Sequence, residues 1–162
     1  MFSLTNTVIE EVDNWDEIFS RLETLELLAS EVGYYQEDKH EGSGLAMSDL
    51  ALVHERGRKD GSIPSRPFMF KAGIIDDVEK QPIYSKILGK VITGHFPALV
   101  AWEMVAEISK ESLQDAIDGQ DFEALNKTYA ARKGSDLILI DTNELYKAGK
   151  AKVVSSLEAL TD

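Results

Sequence analysis

Trp15, Ile18, Phe19, Leu22, Leu25, Leu28 and Val32 recur at steps of three and four, the spacing of one helical face. This period predicts a helix over residues 14–31, with Asp13 or Asn14 as N-cap. Asp16 and Glu17 fall in its first turn, where the helix dipole favours negative charge. Gly33 is expected to stop it, and Val32-Gly33-Tyr34-Tyr35 to open a short strand. Residues 36–44 are polar, hold two glycines and carry no period, so 36–47 is expected to be a flexible loop.

Ser48 is placed to cap a short helix carrying Leu50, Ala51, Val53 and His54, stopped by Gly57. Arg58-Lys59-Asp60-Gly61-Ser62 reads as a turn. Ile63-Pro64-Ser65-Arg66-Pro67 reads as extended chain, because each proline drives its predecessor out of the helical region. Residues 68–79 fit a strand or a helix, and 82–88 a short helix ended by Gly89.

Pro97 opens a second long helix over 97–118, with Leu99, Trp102, Val105, Ala106, Leu113, Ala116 and Ile117 on its apolar face and Gly119 as its stop. A short polar helix near 125–132, the apolar run Leu137-Ile138-Leu139-Ile140, a turn at Asp141-Thr142 and the run Lys152-Val153-Val154 follow. The pattern predicts a single α+β domain over residues 1–162. One small mixed or antiparallel sheet is packed by two long helices, with an N-terminal arm at 1–13 and a C-terminal tail at 155–162.

At 162 residues with 43% apolar composition the chain can bury a core, so disorder is excluded as its general state. The absence of cysteine excludes disulfides, a thiol nucleophile and thiolate metal sites. Met1-Phe2-Ser3-Leu4-Thr5 lacks the regions of a signal peptide, and no apolar run approaches the roughly 18 residues a membrane span needs. A chain cytosolic at synthesis, with no membrane partner, is expected. The net charge of -12 is unevenly spread: residues 1–50 carry 2 bases and 12 acids, 51–100 carry 8 and 5, and 101–162 carry 7 and 12. Such acidity disfavours binding to phosphate backbone, while the basic middle third suits the acidic first third of another copy.

Catalytic patterns are sparse. His54-Glu55 would need a second histidine at position 58 for a metalloprotease motif, and that residue is Arg58. Gly42-Ser43-Gly44 lacks the lysine of a phosphate loop, and no nucleophile elbow occurs. Asp76-Asp77 would point to different faces of either element and reads as solvated surface. No metal and no cofactor is expected. Two alternatives stay open on composition alone: an acidic DNA mimic suited to the net charge, and a small hydrolase using His54 and Glu55.

Several small signals occur in a fixed order. His54-Glu55-Arg56-Gly57 is followed by Ile63-Pro64-Ser65-Arg66-Pro67-Phe68, then by Leu125-Asn126-Lys127-Thr128 with Lys133-Gly134-Ser135, and finally by Leu139-Ile140-Asp141-Thr142-Asn143-Glu144-Leu145. Over roughly residues 32–154 this order resembles the tailed-bacteriophage morphogenesis proteins of the neck and tail-completion kind, tail terminators included. Asn143 stands where that family usually has glycine, a replacement compatible with left-handed backbone, and the spacing from Thr128 to Lys133 is one residue longer than usual.

The resemblance implies a structural virion protein without enzymatic activity, made in the host cytoplasm and built into the head–tail junction or the top of the tail. It implies a ring, six-fold in preference to twelve-fold, in contact with neighbouring neck and tail proteins and passed by DNA without binding it. The family-motif and assembly residues are then His54, Glu55, Gly57, Pro64, Arg66, Pro67, Phe68, Thr128, Lys133, Asp141, Thr142 and Leu145. Within them, Pro64 and Pro67 are expected to stiffen a surface segment that presents Arg66 to a carboxylate, internal or on a neighbour, while Phe68 anchors it in the core.

Overall fold

A computed structural model describes residues 14–157. Its elements run α1 (Trp15–Glu26), β1 (Leu28–Gly33), α2 (Met47–Arg56), α3 (Phe68–Glu79), α4 (Gln81–Ile92), α5 (Ala98–Asp118), α6 (Lys127–Lys133), α7 (Glu144–Ala148) and β2 (Lys150–Ser155). The class is α+β, as the sequence pattern indicates. The sheet is a two-stranded antiparallel pair in the register Leu28↔Ser155 to Gly33↔Lys150.

The helix expected over 14–31 is two elements. It stops at Glu26, Leu27 caps it, and Leu28 to Gly33 leave as β1. Local periodicity supports helix through Val32, but the Lys152-Val153-Val154 segment offers a ladder of hydrogen bonds from more than 120 residues away, and that pairing overrides it. Only α5, at 21 residues, is a long helix; the second of the two expected is a 12-residue α1 with no buried residue. Ser48 is not a cap. The helix starts at Met47 after Ala46, and the Ser48 hydroxyl is buried without a partner.

The ambiguous 68–79 segment is α3, and α4 runs through Gly89 to Ile92. Residues 137–140 are irregular, yet Ile138 and Leu139 are buried. The expected arm at 1–13 lies outside the described residues, as does the tail beyond 157, while Ser155 ends β2.

α5 organises the packing, lying against α3 and against both strands. The main core joins Ala51 of α2, Phe68 and Ala72 of α3, Leu113, Ala116 and Ile117 of α5, and Ile138, Leu139 and Leu145 from the irregular segment and α7. A smaller cluster of Ile87, Val91 and Ala101 ties α4 to α5, with Leu25 of α1 at its edge. The polar stretch 36–47 is held rather than loose. Lys39 bridges Ala46, Met47 N–H donates to Asp38 O at 2.8 Å, Lys150 pairs with Asp38 at 2.6 Å, and Glu41 N–H donates to Glu144 Oε2 at 2.8 Å.

Candidate functional site

The end of α2 and the start of α3 form one hydrogen-bonded knot. Gly57 caps α2 at φ 71° and ψ -179°, a conformation open in practice to glycine alone. A Cβ there would lie 2.7 Å from Ser65 N and 2.8 Å from Ile63 O. The chain turns, with Arg58 N–H donating to Ile63 O at 2.8 Å, and the 63–66 stretch runs back beside the helix it has left. There Ser65 Oγ donates to Glu55 O at 2.7 Å and Arg66 N–H to His54 O at 2.8 Å, satisfying carbonyls that a helix end otherwise leaves open.

Pro67 then precedes α3 and has no side-chain acceptor for the helix's free amides. Glu55 supplies it: Oε2 accepts from Met69 N–H at 2.9 Å and Oε1 from Phe70 N–H at 3.1 Å. Phe68, fully buried, meets Tyr34 edge-on at 5.9 Å between ring centroids. Glu55, Gly57, Pro64, Pro67 and Phe68 therefore hold the α2–α3 corner together.

Arg66 is not displayed on the surface. It is 6% exposed, its Nε is buried without a hydrogen-bond partner, and its Nη1 stands 3.4 Å from His54 Nδ1. Among the described residues no carboxylate lies within salt-bridge distance of it, so neither the exposed presentation nor the internal ion pair expected of Arg66 is present. Because guanidinium only donates, His54 Nδ1 must accept and its proton resides on Nε2. Burial, reinforced by Arg66 and His40, pulls the His54 pKa down to about 4, so the ring is neutral at pH 7. Burial also lowers the pKa of Arg66. His54 and Glu55 diverge, one facing Arg66 and the other engaged on α3, and do not form an acid–base pair.

The C-terminal motif closes on the same place. Asn143 adopts φ 62° and ψ 7°, a left-handed conformation that asparagine tolerates, and leads into α7. Thr142 Oγ1 donates to Glu144 Oε1 at 2.8 Å, and Leu145 enters the main core. The Glu41 N–H, then Thr142, hold the Glu144 carboxyl below the usual carboxylate range. Lys133 ends α6 and donates to Leu137 O. A cavity of about 270 Å³ unites the two halves, with His54, Arg66, Lys133, Asp141, Thr142 and Leu145 among its walls. Thr128 stands apart: it is exposed on α6, its N–H taken by Asn126 Oδ1 at 2.9 Å.

His40, Tyr129 and Glu144 also line this cavity, and none of the three is among the motif and assembly residues named from the sequence. Glu144 follows Thr142 at a spacing that allows a local side-chain bond, a readable signal; His40 arrives from a stretch without period and has none. Asp76 is a correction as well. It accepts from Tyr84 Oη and, at 3.1 Å each, from Ser109 and Ser112 Oγ, whereas its neighbour Asp77 is exposed. Two serines three apart on the inner face of α5 were the available clue.

A wider apolar groove of about 670 Å³ runs between α1, α4 and α5, lined by Leu22, Leu25, Ile87, Val91 and Trp102 among others. Among the described residues no cluster of His, Asp and Glu is arranged to hold a metal ion, and no helix is long and apolar enough to cross a membrane. Compared with protein-family models, with curated proteins and with solved structures, the chain matches none.

Proposed function

We propose that this protein is a structural component of a tailed-bacteriophage virion, assembling as a ring at the head–tail junction or the top of the tail and acting without chemistry of its own. The supporting observation is the convergence of the motif stretches. Segments 54–68 and 139–145, which carry the resemblance and lie more than 70 residues apart, share one cavity wall and one core cluster. Such convergence accounts for why those residue types occur in that order: each secures a corner that the other packs on.

A ring also needs a face that a single subunit leaves uncovered. Phe70, Ile74 and Val78 of α3 repeat every four residues and are 66%, 49% and 70% exposed, an apolar row with charged residues beside it. Heterologous contacts between such a row and another part of the next copy close into a ring when the rotation permits. The excess of acid would keep passing DNA from adhering to the channel wall. The test is native mass spectrometry with negative-stain imaging of the purified chain, alone and with adjoining neck or tail components. A closed ring with a central hole is expected. A monomer under every one of these conditions refutes the proposal.

A further inference from the structure

We infer that the cavity beneath Arg66 is a carboxylate-binding site, in which the buried guanidinium, together with Lys133, receives an acid that none of the described residues provides. Three observations carry it. Arg66 is more than nine-tenths buried, and its Nε has no partner. A desolvated guanidinium is costly unless its donors are met, and the single contact to a neutral imidazole nitrogen at 3.4 Å meets little of that demand. The chain carries 29 acids against 17 bases, so an unpaired buried cation does not reflect a shortage of carboxylates.

The surrounding groups are arranged for an incoming anion. Lys133 lines the same cavity and spends one of its three donors on Leu137 O. Thr142 and Tyr129 add hydroxyls to the wall. The two acids that also line it are placed so that neither satisfies Arg66. Glu144 is occupied by Glu41 N–H, Thr142 Oγ1 and, at 3.7 Å, His40 Nε2, while Asp141 is exposed. A guanidinium plane binds a carboxylate through two parallel N–H bonds, and its two terminal nitrogens, Nη1 and Nη2, form such a fork. The acid is either a small free carboxylate or an Asp or Glu side chain from a second copy, and the second source alone rests on the ring reading.

The Arg66 Nε–H resonance of the full chain reports on the site directly. In dilute protein titrated with acetate, the resonance is expected to shift and to exchange more slowly with water, with chloride at equal ionic strength leaving it in place. Lys133→Met should weaken the acetate response about tenfold while the fold, followed by backbone resonances, stays intact. If a second copy is the source, raising protein concentration without acetate should produce the same shift as the oligomer forms, and acetate should compete with it. A monomer whose Arg66 responds to acetate keeps this inference and removes the ring. A resonance indifferent to both acetate and protein concentration, or moved equally by chloride, overturns the site, and so does an undiminished acetate response in Lys133→Met.

Discussion

Replacing Gly57 with alanine tests whether the α2–α3 corner is as tightly built as its hydrogen bonds indicate. The backbone there has φ 71° and ψ -179°, and the new Cβ would sit 2.7 Å from Ser65 N, 2.8 Å from Ile63 O and 3.0 Å from Pro64 C. All three are backbone atoms of the returning segment, so no side chain can swing aside to admit the methyl group. The strain of that conformation costs about 1–3 kcal/mol for a residue with a Cβ, and displacing the packed strand beside it costs about 1–3 kcal/mol more. The expected loss is about 2–6 kcal/mol, a large part of the stability of a domain this size.

Gly134 supplies the control. It also has positive φ, 75°, but its ψ of 14° is ordinary left-handed helix and nothing lies within 4 Å of the Cβ position. Gly134→Ala should cost about 1 kcal/mol. Urea unfolding of both variants measures the difference, and thermal melts should show a drop of about 4–24 °C for Gly57→Ala against about 2–4 °C for Gly134→Ala. Equal losses in the two variants would show that the close approach of the 63–65 backbone contributes nothing, and the argument for the knot would fall.

Three further outcomes follow from the same geometry. His54 titrates near 6.5 when unfolded and at about 4 in the fold, so its contribution is full above pH 6.5 and is lost as pH falls through 4. Up to about 3 kcal/mol should disappear over that window, and His54→Gln should flatten it in urea titrations; an unchanged pH slope in the variant would contradict the assignment. Glu55→Ala should destabilise by about 1–2 kcal/mol through the lost amide bonds to Met69 and Phe70, with amide exchange accelerated at the start of α3 and not in α5. Phe68→Ala should cost about 3–5 kcal/mol because the ring is wholly buried, and calorimetry that finds under 1 kcal/mol would place the core elsewhere.

The sequence disclosed those features whose causes are local. Gly57 as a helix stop, Pro64 and Pro67 as keepers of an extended segment, Gly119 as the end of α5 and Asn143 as a left-handed residue are each decided within a few residues of chain. β1 was hidden because its cause is not local: Leu28 and Val32 complete a helical stripe, and only pairing with Ala151 and Ser155 turns them into a strand. The cavity was legible in part. His54, Arg66, Lys133, Asp141 and Thr142 were singled out as motif members, but their meeting in one wall depends on how α6 and α7 fold back over α2. Burial, too, escaped the reading. Arginine beside two prolines suggests a displayed side chain, whereas the return of 63–66 along α2 turns Arg66 inward.

This inward turn separates Arg66 from the other motif residues. Glu55 caps, Gly57 turns, Phe68 fills and Asn143 bends, and each role ends inside the subunit. Arg66 contributes a backbone N–H to the same corner, a bond that any residue except proline could make. Its side chain leaves a largely buried charge with one weak hydrogen bond and only through-space attraction from Tyr129 and Glu123, which folding alone would not favour. Arg66→Met keeps the backbone bond and much of the aliphatic stem while removing the charge, so its free energy of unfolding should equal or exceed that of the natural chain by up to about 1 kcal/mol. The acetate-induced shifts of the backbone amides around the cavity, Tyr129 and Thr142 among them, should vanish at the same time. A loss beyond about 2 kcal/mol would instead make Arg66 a structural residue whose guanidinium the subunit itself requires. Stability retained with binding lost is the signature of a side chain kept for something that comes from outside.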